Sequence, residues 1–472
     1  MSVQTRSREF TGLHQGILGN LQVLAQSVSG IGPSIGAAAL IPLAFADAGY
    51  GAWMTVVLAT LGILGVGVSI GTLAQRHAST GALYTLVPQG LGAPAGLLTG
   101  VVMMLNMLVT GPFLALGVGM YFSHFLSGIG VIHPSPGVIT GIDLGVVVLV
   151  GLIAYLDIRI STTFLLLLEA TSMLAILVML GVVLVSHGHV VDPAQISLHG
   201  TTAHGLLLGV VFLVLAYGSF EGSASLGIEA RRPRAIWVAL IGSVVVVGIF
   251  FVVNAYIQVL GFEGTGMSLA AQSSPLSSLA TYYHVSWLGD IVTLGVAFSF
   301  FGALNAWLNY IPRMVFTMSH DGVLPKVLGK THARTGSPHV AVVSWSLAWL
   351  VVLGVTFLAG VNQSDAFGNF GTLSGYCFTL VYLLAAVAAP VYLARIGKLS
   401  ALVLVGAVVG AVVMALEFWF SFNPLPAAPT VYFVWVFVGT VVLTLVATGV
   451  LYAVAPSWLK RVGVTRRSED NG

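Results

Sequence analysis

"VSGIGPSIGA", residues 28–37, is the stretch on which the fold turns. It lies between two apolar helical runs, Leu13 to Gln26 before it and Ala37 to Ala48 after it. Together they make one membrane span near 16–46, interrupted by Gly30, Gly32, Pro33 and Gly36. In a helix interior Gly and Pro are about 1 and 3 kcal/mol worse than Ala. In lipid the backbone groups so released must find partners inside the protein. A first span broken at its centre therefore needs a reason.

The surrounding sequence supplies the setting. Of 472 residues, 57% are hydrophobic and 7% charged, against about 25% charged in a soluble domain. The chain is an integral membrane protein. About 20 apolar residues cross a bilayer as a helix, and twelve runs qualify. They lie near 16–46, 51–75, 94–126, 138–156, 163–186, 204–229, 235–261, 287–318, 339–360, 367–394, 400–421 and 430–455. The runs are continuous rather than alternating, which excludes a strand-built barrel. With the N-terminus in the cytoplasm, all 17 Lys and Arg fall on the cytoplasmic side, from Arg6 and Arg8 through Arg76, Arg159, Arg231, Arg313 and Arg395 to Arg467. The positive-inside rule requires this sorting, and a wrong span count would scramble it. Both termini are thus expected inside. Arg6 and Arg8 precede a long span rather than a short apolar region with a cleavage site, so no cleaved leader is expected. The single cysteine, Cys377, lies in an apolar run and excludes an internal disulfide.

A second span looks interrupted. Span 6 reads "FLVLAYGSFEGSASLGIEARRP", residues 212–233, where Gly218 and Gly222 bracket Ser219, Phe220 and Glu221. Spans 1 and 6 open two consecutive blocks of five spans. Five is odd, so the second block enters the membrane from the opposite side, as in an inverted-topology repeat. The expected architecture is all-α, with twelve transmembrane helices as a 5+5 inverted repeat plus two C-terminal helices. The expected divisions are a cytoplasmic tail at 1–15, the first repeat at 16–202, the second at 203–398, spans 11 and 12 at 399–456, and a tail at 457–472. Each broken span offers N–H ends that attract a carboxylate and C=O ends that attract an ammonium or a cation. Two breaks meeting near the midplane make a small zwitterion site. The alternative is that these glycines only let helices pack closely, a serious one in a chain with 57 Gly. Pro33 and the matched break in span 6 weigh against it.

Three stretches resemble the amino acid–polyamine–organocation superfamily of transporters, with their LeuT-type fold. "YGSFEGSASLGIEARRPRAIW", 217–237, is similar to the family's sixth-helix pattern, F-x-G-F-E followed by E-E/A-x-x-P. "NYIPRMVFTMSHDGVLPKVLGKTHARTGSPHVAV", 309–342, is similar to its cytoplasmic segment after helix eight. "ASTGALYTLVPQGLGAPAGLLTG", 78–100, is similar to the G-x-x-Y segment leading into helix three. The chain departs from the pattern at "GIGPS", where Pro33 is added, and at Ser219, which replaces the first Gly of G-F-E. Some members carry a Lys in helix five, whereas span 5 here has Glu169.

The resemblance implies substrate contacts from Ser29, Gly30, Ile31, Gly32, Pro33 and Ser34 on span 1, and from Tyr217, Gly218, Ser219 and Phe220 on span 6. It implies that span 1 backbone meets the α-carboxylate and span 6 backbone the α-amine, with Tyr217 or Phe220 closing over them. Packing is the competing role for each aromatic. Asn106 on span 3 and Asn305 on span 8 are candidates to line the cavity. Ser299 on span 8 is a sodium-ligand candidate by resemblance alone. Glu221 lies near mid-span, where a charge costs at least ~3 kcal/mol. It and Glu169 are the candidate proton carriers; for Glu221 the alternative is a structural hydrogen bond between helices, and Glu169 sits either deep in span 5 or near its cytoplasmic end beside Arg159. Glu417 on span 11 reads as structural. His187, His189 and His199 have a spacing that fits no closed zinc site, and they read as a polar loop.

The leading expectation is a secondary transporter of amino acids or related amines in the plasma membrane. It would work by alternating access with a proton as coupling ion, and spans 1, 2, 6 and 7 would rock against the rest. An exchanger without net ion coupling is the rival, and a transporter-like substrate sensor is the rival from another class. There is no G-x-x-x-x-G-K-[ST] for a nucleotide-driven pump. There is also no HExxH, GxSxG or paired-carboxylate arrangement for an enzyme. No cofactor, resident metal or nucleic-acid partner is expected, and membrane lipid is the surrounding partner.

Overall fold

A computed structural model describes residues 19–77, 81–131, 135–156, 162–226, 231–272, 274–332 and 338–463. Arg6, Arg8, Arg159, Arg334, Arg466 and Arg467 lie outside the described residues, as do both expected tails in large part and pieces of the family-like stretches at 78–80, 227–230 and 333–337.

Among the described residues, eleven helical runs are long and apolar enough to cross a membrane. The first, Gln22–Arg76, has 55 residues. At about 1.5 Å per residue it would exceed 80 Å if straight, far more than the ~30 Å hydrocarbon layer. It turns instead at Gly49, where φ is 54°, and so holds two spans. The twelve spans of the sequence reading follow. Span 1 runs through Asn20–Ile31 and on to Ala48, span 2 is Ala52–Arg76, span 3 Ala93–Gly128, span 4 Pro136–Tyr155 and span 5 Thr162–His187. Span 6 is Ala203–Ala216 followed by a tighter 3₁₀ stretch, Phe220–Leu226. Span 7 is Pro233–Phe262, span 8 Ser286–His320, span 9 His339–Leu358, span 10 Gln363–Arg395, span 11 Ala401–Phe422 and span 12 Thr430–Val454.

Local chemistry sets the ends. Ser135, Thr202, Asn362 and Ser400 each accept a backbone N–H from the first turn of spans 4, 6, 10 and 11, relieving orphan donors at the helix start. The Asn362 cap starts span 10 four residues before its apolar run. Two short helices not expected from hydropathy, Leu83–Leu91 and Pro275–Tyr282, sit between spans.

Burial separates the centre from the rim. In their most apolar stretches spans 3 and 8 are 78% and 72% buried, and spans 9 and 12 only 22%. The central spans are covered by other helices, while Val351, Val355, Leu402 and Leu443 on the outer ones are exposed, as suits side chains that face lipid. Close approaches rely on glycine. A Cβ on Gly65 of span 2 would lie 2.2 Å from the Gly406 carbonyl oxygen of span 11, so the two backbones touch.

Candidate functional site

Span 1 breaks at one residue. Its first helix ends at Ile31, and Gly32 takes a left-handed conformation with φ 61° and ψ 67°. Pro33 then occupies the first position of a new turn, where its missing N–H is no loss. The consequences can be counted atom by atom. Gly32 N–H donates to the Val28 carbonyl, and Ile35 N–H to Gly32. Pro33 has no N–H for the Ser29 carbonyl. Ser34 N–H leaves the helix ladder and donates to Glu169 Oε1 of span 5 at 2.8 Å. The carbonyls of Ser29 and Gly30 thus receive no helical N–H. Glu169 is itself buried, and the hydroxyls of Ser34 and Ser299 stand beside the same carboxylate with no hydrogen-bond partner of good geometry. Ser299 lies hard against the break: a Cβ on Gly32 would be 3.2 Å from its Oγ.

A second irregularity follows immediately. Residues Gly36–Leu40 form a π-helical stretch. Its loosened carbonyls are taken by side chains from afar, Ala37 by Gln258 Nε2 of span 7 at 2.8 Å and Ala38 by the Tyr121 hydroxyl of span 3 at 3.0 Å. Gly36 is needed because the Phe251 ring lies where a Cβ would stand, at 2.2 Å.

Span 6 also breaks at one left-handed residue. That residue is Ser219, with φ 70°, rather than either flanking glycine. Gly218 has another duty: a Cβ there would meet the Phe378 ring at 2.6 Å. The two breaks touch. A Cβ on Gly30 would be 3.0 Å from both the carbonyl and the hydroxyl oxygen of Ser219, and Ser27 of span 1 donates to the Phe220 carbonyl at 2.9 Å.

Glu221 is fully buried. Its Oε2 accepts a 2.6 Å hydrogen bond from the Tyr382 hydroxyl of span 10, and its Oε1 has no partner. Among the described residues the buried hydroxyls of Ser29 and Ser223 are likewise unpartnered, while those of Ser34 and Ser299 have Glu169 beside them. Most buried polar atoms in proteins are satisfied; the Ser29 and Ser223 hydroxyls and Glu221 Oε1 are exceptions beside the two helix breaks.

The structure thus brings together Ser29, Gly30, Ile31, Gly32, Pro33 and Ser34 with Ser219, Phe220, Ser299 and Glu169. Other candidates face elsewhere. The Tyr217 hydroxyl pairs with Thr60 of span 2 at 2.6 Å and its ring packs edge-on against Phe251. The Phe220 ring packs on Tyr382. Asn106 accepts from Thr110 and Ser374, which ties span 3 to span 10. Asn305 is buried on span 8. Tyr382, Gln258 and Tyr121 carry site contacts that no local pattern announces, since each acts on a residue far away in the chain.

The side whose loops lack Lys and Arg is indented. A cavity of about 240 Å³ is lined there by Tyr121, His124, Gln363 and Ser274. Tyr121 is at once its wall and the donor to Ala38 of span 1. On the opposite side Asp321 accepts from the Tyr84 hydroxyl at 2.7 Å and from Gly463 N–H at 2.9 Å. Burial and the Asp321 charge hold the Tyr84 hydroxyl well above the ordinary phenol range, so it is a standing donor.

Residues 18–447 match the profile of a family described as amino acid permease. The chain is 24% identical over 347 residues to the branched-chain amino acid permease BcaP of Bacillus subtilis, covering 70% of this chain and 72% of that one. It is 23% identical over 390 residues to the L-asparagine permease of Salmonella typhimurium, covering 78% and 75%. Its fold is similar to that of a manganese transporter from Eremococcus coleocola, with a TM-score of 0.57 at 11% identity over 94% of this chain and 95% of that one.

Proposed function

The chain belongs to the amino acid permease family, and from that premise we propose that it is a proton-coupled symporter of amino acids or related amines, working by alternating access. It is a transporter and not an enzyme. One observation carries the coupling: Glu169 accepts the Ser34 N–H at the break. That N–H is the donor a substrate carboxylate needs, since Pro33 has none and Ile35 N–H is bonded to Gly32. Substrate and Glu169 compete for it. A hydrogen bond to a charged acceptor is worth about 1.5–3 kcal/mol and one to a neutral acceptor about 0.5–1.5. Protonating Glu169 therefore weakens its hold by about 1.3 kcal/mol, which is nearly tenfold in substrate affinity. Proton and substrate load together. The vacant carbonyls of Ser29 and Gly30, with the Ser219 backbone facing Gly30, are acceptors for the substrate ammonium. Glu221, held by Tyr382, is a second buried carboxyl beside the breaks.

The test uses purified protein in liposomes. Radiolabelled amino acids and polyamines are offered under a pH gradient, a sodium gradient, or with unlabelled substrate inside. Wild-type uptake is expected to follow the pH gradient. Glu169→Gln is expected to fold and to exchange internal for external substrate, with uptake no longer driven by pH. Normal pH-driven uptake by that variant sinks the role of Glu169. Wild-type uptake seen only with internal substrate means an exchanger.

A further inference from the structure

Away from the breaks, three side chains converge on the face whose loops lack Lys and Arg. His187 ends span 5, His189 lies two residues beyond it, and Glu263 follows the end of span 7. Each offers a ligand atom, and all three atoms lie within 4.8 Å of one another. His187 Nε2 is 3.9 Å from Glu263 Oε2, and the two imidazole rings are 4.4 Å apart. His187 Nε2 is buried without a hydrogen-bond partner. We propose that His187, His189 and Glu263 form a binding site for a divalent transition-metal ion of the zinc class, bridging spans 5 and 7.

The backbone beneath the cluster is built for it. Spans 5 and 7 touch one turn deeper, where a Cβ on Gly261 would lie 2.7 Å from Val183. The loop carrying His189 is pinned to span 7 through Tyr256. The Tyr256 hydroxyl accepts the Asp192 N–H at 2.9 Å and donates to the Val190 carbonyl at 3.0 Å, and Gln195 donates to the Tyr256 carbonyl at 3.1 Å. His189 and Glu263 are exposed, so their rotamers can close the gap. Ligand atoms about 2.0–2.1 Å from a tetrahedral zinc stand about 3.4 Å apart, and the His187–Glu263 separation is already near that. Two imidazoles and one carboxylate make a three-ligand set that leaves a fourth position for water, and imidazole favours zinc, copper and nickel over magnesium or calcium. The pair His187 and His189 was legible in sequence as a polar loop. Glu263 was not part of that reading, because it joins from the far end of another span, and His199 is not in the cluster.

The ion would clamp span 7 to span 5. That consequence, unlike the site itself, rests on the proposed rocking of spans 1, 2, 6 and 7. Binding is measured first, with Zn²⁺ titrated calorimetrically into tag-free protein in nanodiscs. Wild type is expected to take up one ion per chain. His189→Ala and Glu263→Gln should each weaken binding about tenfold or more, at least the cost of losing an outer-shell partner, and the double variant should abolish it. Unfolding without metal should be unchanged in both, since the side chains are exposed. No binding by wild type, or equal binding by the double variant, overturns the site. In liposomes, external Zn²⁺ should slow uptake by wild type and not by the double variant. Zinc that binds yet leaves uptake unchanged overturns the clamp, whereas failure of metal-free wild type to transport falls on the transport reading.

Discussion

Gly32→Ala tests the break in span 1 by the sign of its effect. In a continuous helix the change would stabilise by about 1 kcal/mol. At φ 61° an alanine instead costs about 1–2 kcal/mol. Its Cβ would also stand 2.6 Å from Ile35 Cδ1 and 3.2 Å from Ser299 Oγ. The isoleucine tip can turn aside, at about 0.5–1.5 kcal/mol for an off-rotamer side chain, and Ser299 must give by a few tenths of an ångström. The expected result is a loss of about 1.5–3.5 kcal/mol, opposite in sign to the helical case. Gly242→Ala is the control. It lies within span 7, has nothing within 4 Å of the added Cβ, and should gain about 1 kcal/mol. Both are read from the denaturant midpoint of purified protein in detergent, at unchanged slope. Substrate affinity of Gly32→Ala should fall about tenfold or more as the Ser34 N–H is turned away from the substrate carboxylate, a bond to a charged acceptor worth about 1.5–3 kcal/mol. A Gly32→Ala protein as stable as wild type, or more so, refutes the left-handed break and with it the released Ser34 N–H.

Two other outcomes follow from single contacts. Tyr382→Phe removes the one side-chain donor to Glu221 among the described residues. It should lower stability by about 1–3 kcal/mol, a loss that shrinks in the Glu221→Gln background; an additive double variant would mean the two side chains do not interact. Gly65→Ala drives a methyl to within 2.2 Å of the Gly406 carbonyl and 2.8 Å of Gly410 N. Backbone cannot step aside as a side chain can, so a cost of about 3 kcal/mol or more is expected, read as a lowered thermal midpoint. A wild-type midpoint would mean that spans 2 and 11 are not in backbone contact.

Much of this fold was legible in one dimension, for identifiable reasons. Span number follows from hydropathy and from the one-sided placement of Lys and Arg, which depends on membrane thickness and charge cost, not on packing. The break at Gly32 was legible because Pro33 cannot join the ladder wherever it is placed. The break in span 6 was legible only to within two residues. Two glycines pointed to it, yet the left-handed residue is Ser219, because Gly218 is claimed by the Phe378 ring. The π-helical stretch at Gly36–Leu40 could not be read at all. What permits it is a glutamine 221 residues away and a tyrosine 83 residues away. Glu169 was visible as a carboxyl in lipid, but its partner is a backbone N–H, which has no sequence signature. Tyr217, considered as a gate, has its hydroxyl on Thr60 and its ring on Phe251, contacts set by spans 2 and 7.

The proposed motion works against specific hydrogen bonds at the break. The broken part of span 1 is not loose. Three of its freed groups, the Ser34 N–H and the Ala37 and Ala38 carbonyls, are bonded to Glu169 on span 5, Gln258 on span 7 and Tyr121 on span 3. If spans 1, 2, 6 and 7 rock together, the bond to Gln258 travels with them, and the bonds to Glu169 and Tyr121 must be exchanged. One charged and one neutral bond are together worth about 2–4.5 kcal/mol. A substrate bound with micromolar to millimolar affinity supplies about 4–8 kcal/mol, and a ligand shifts an equilibrium only by its differential affinity for the two states. Substrate that takes over the Ser34 N–H from Glu169 removes the larger of the two restraints directly. The remaining one, Tyr121 on the Ala38 carbonyl, lies in the wall of the 240 Å³ cavity, so releasing it would change that wall.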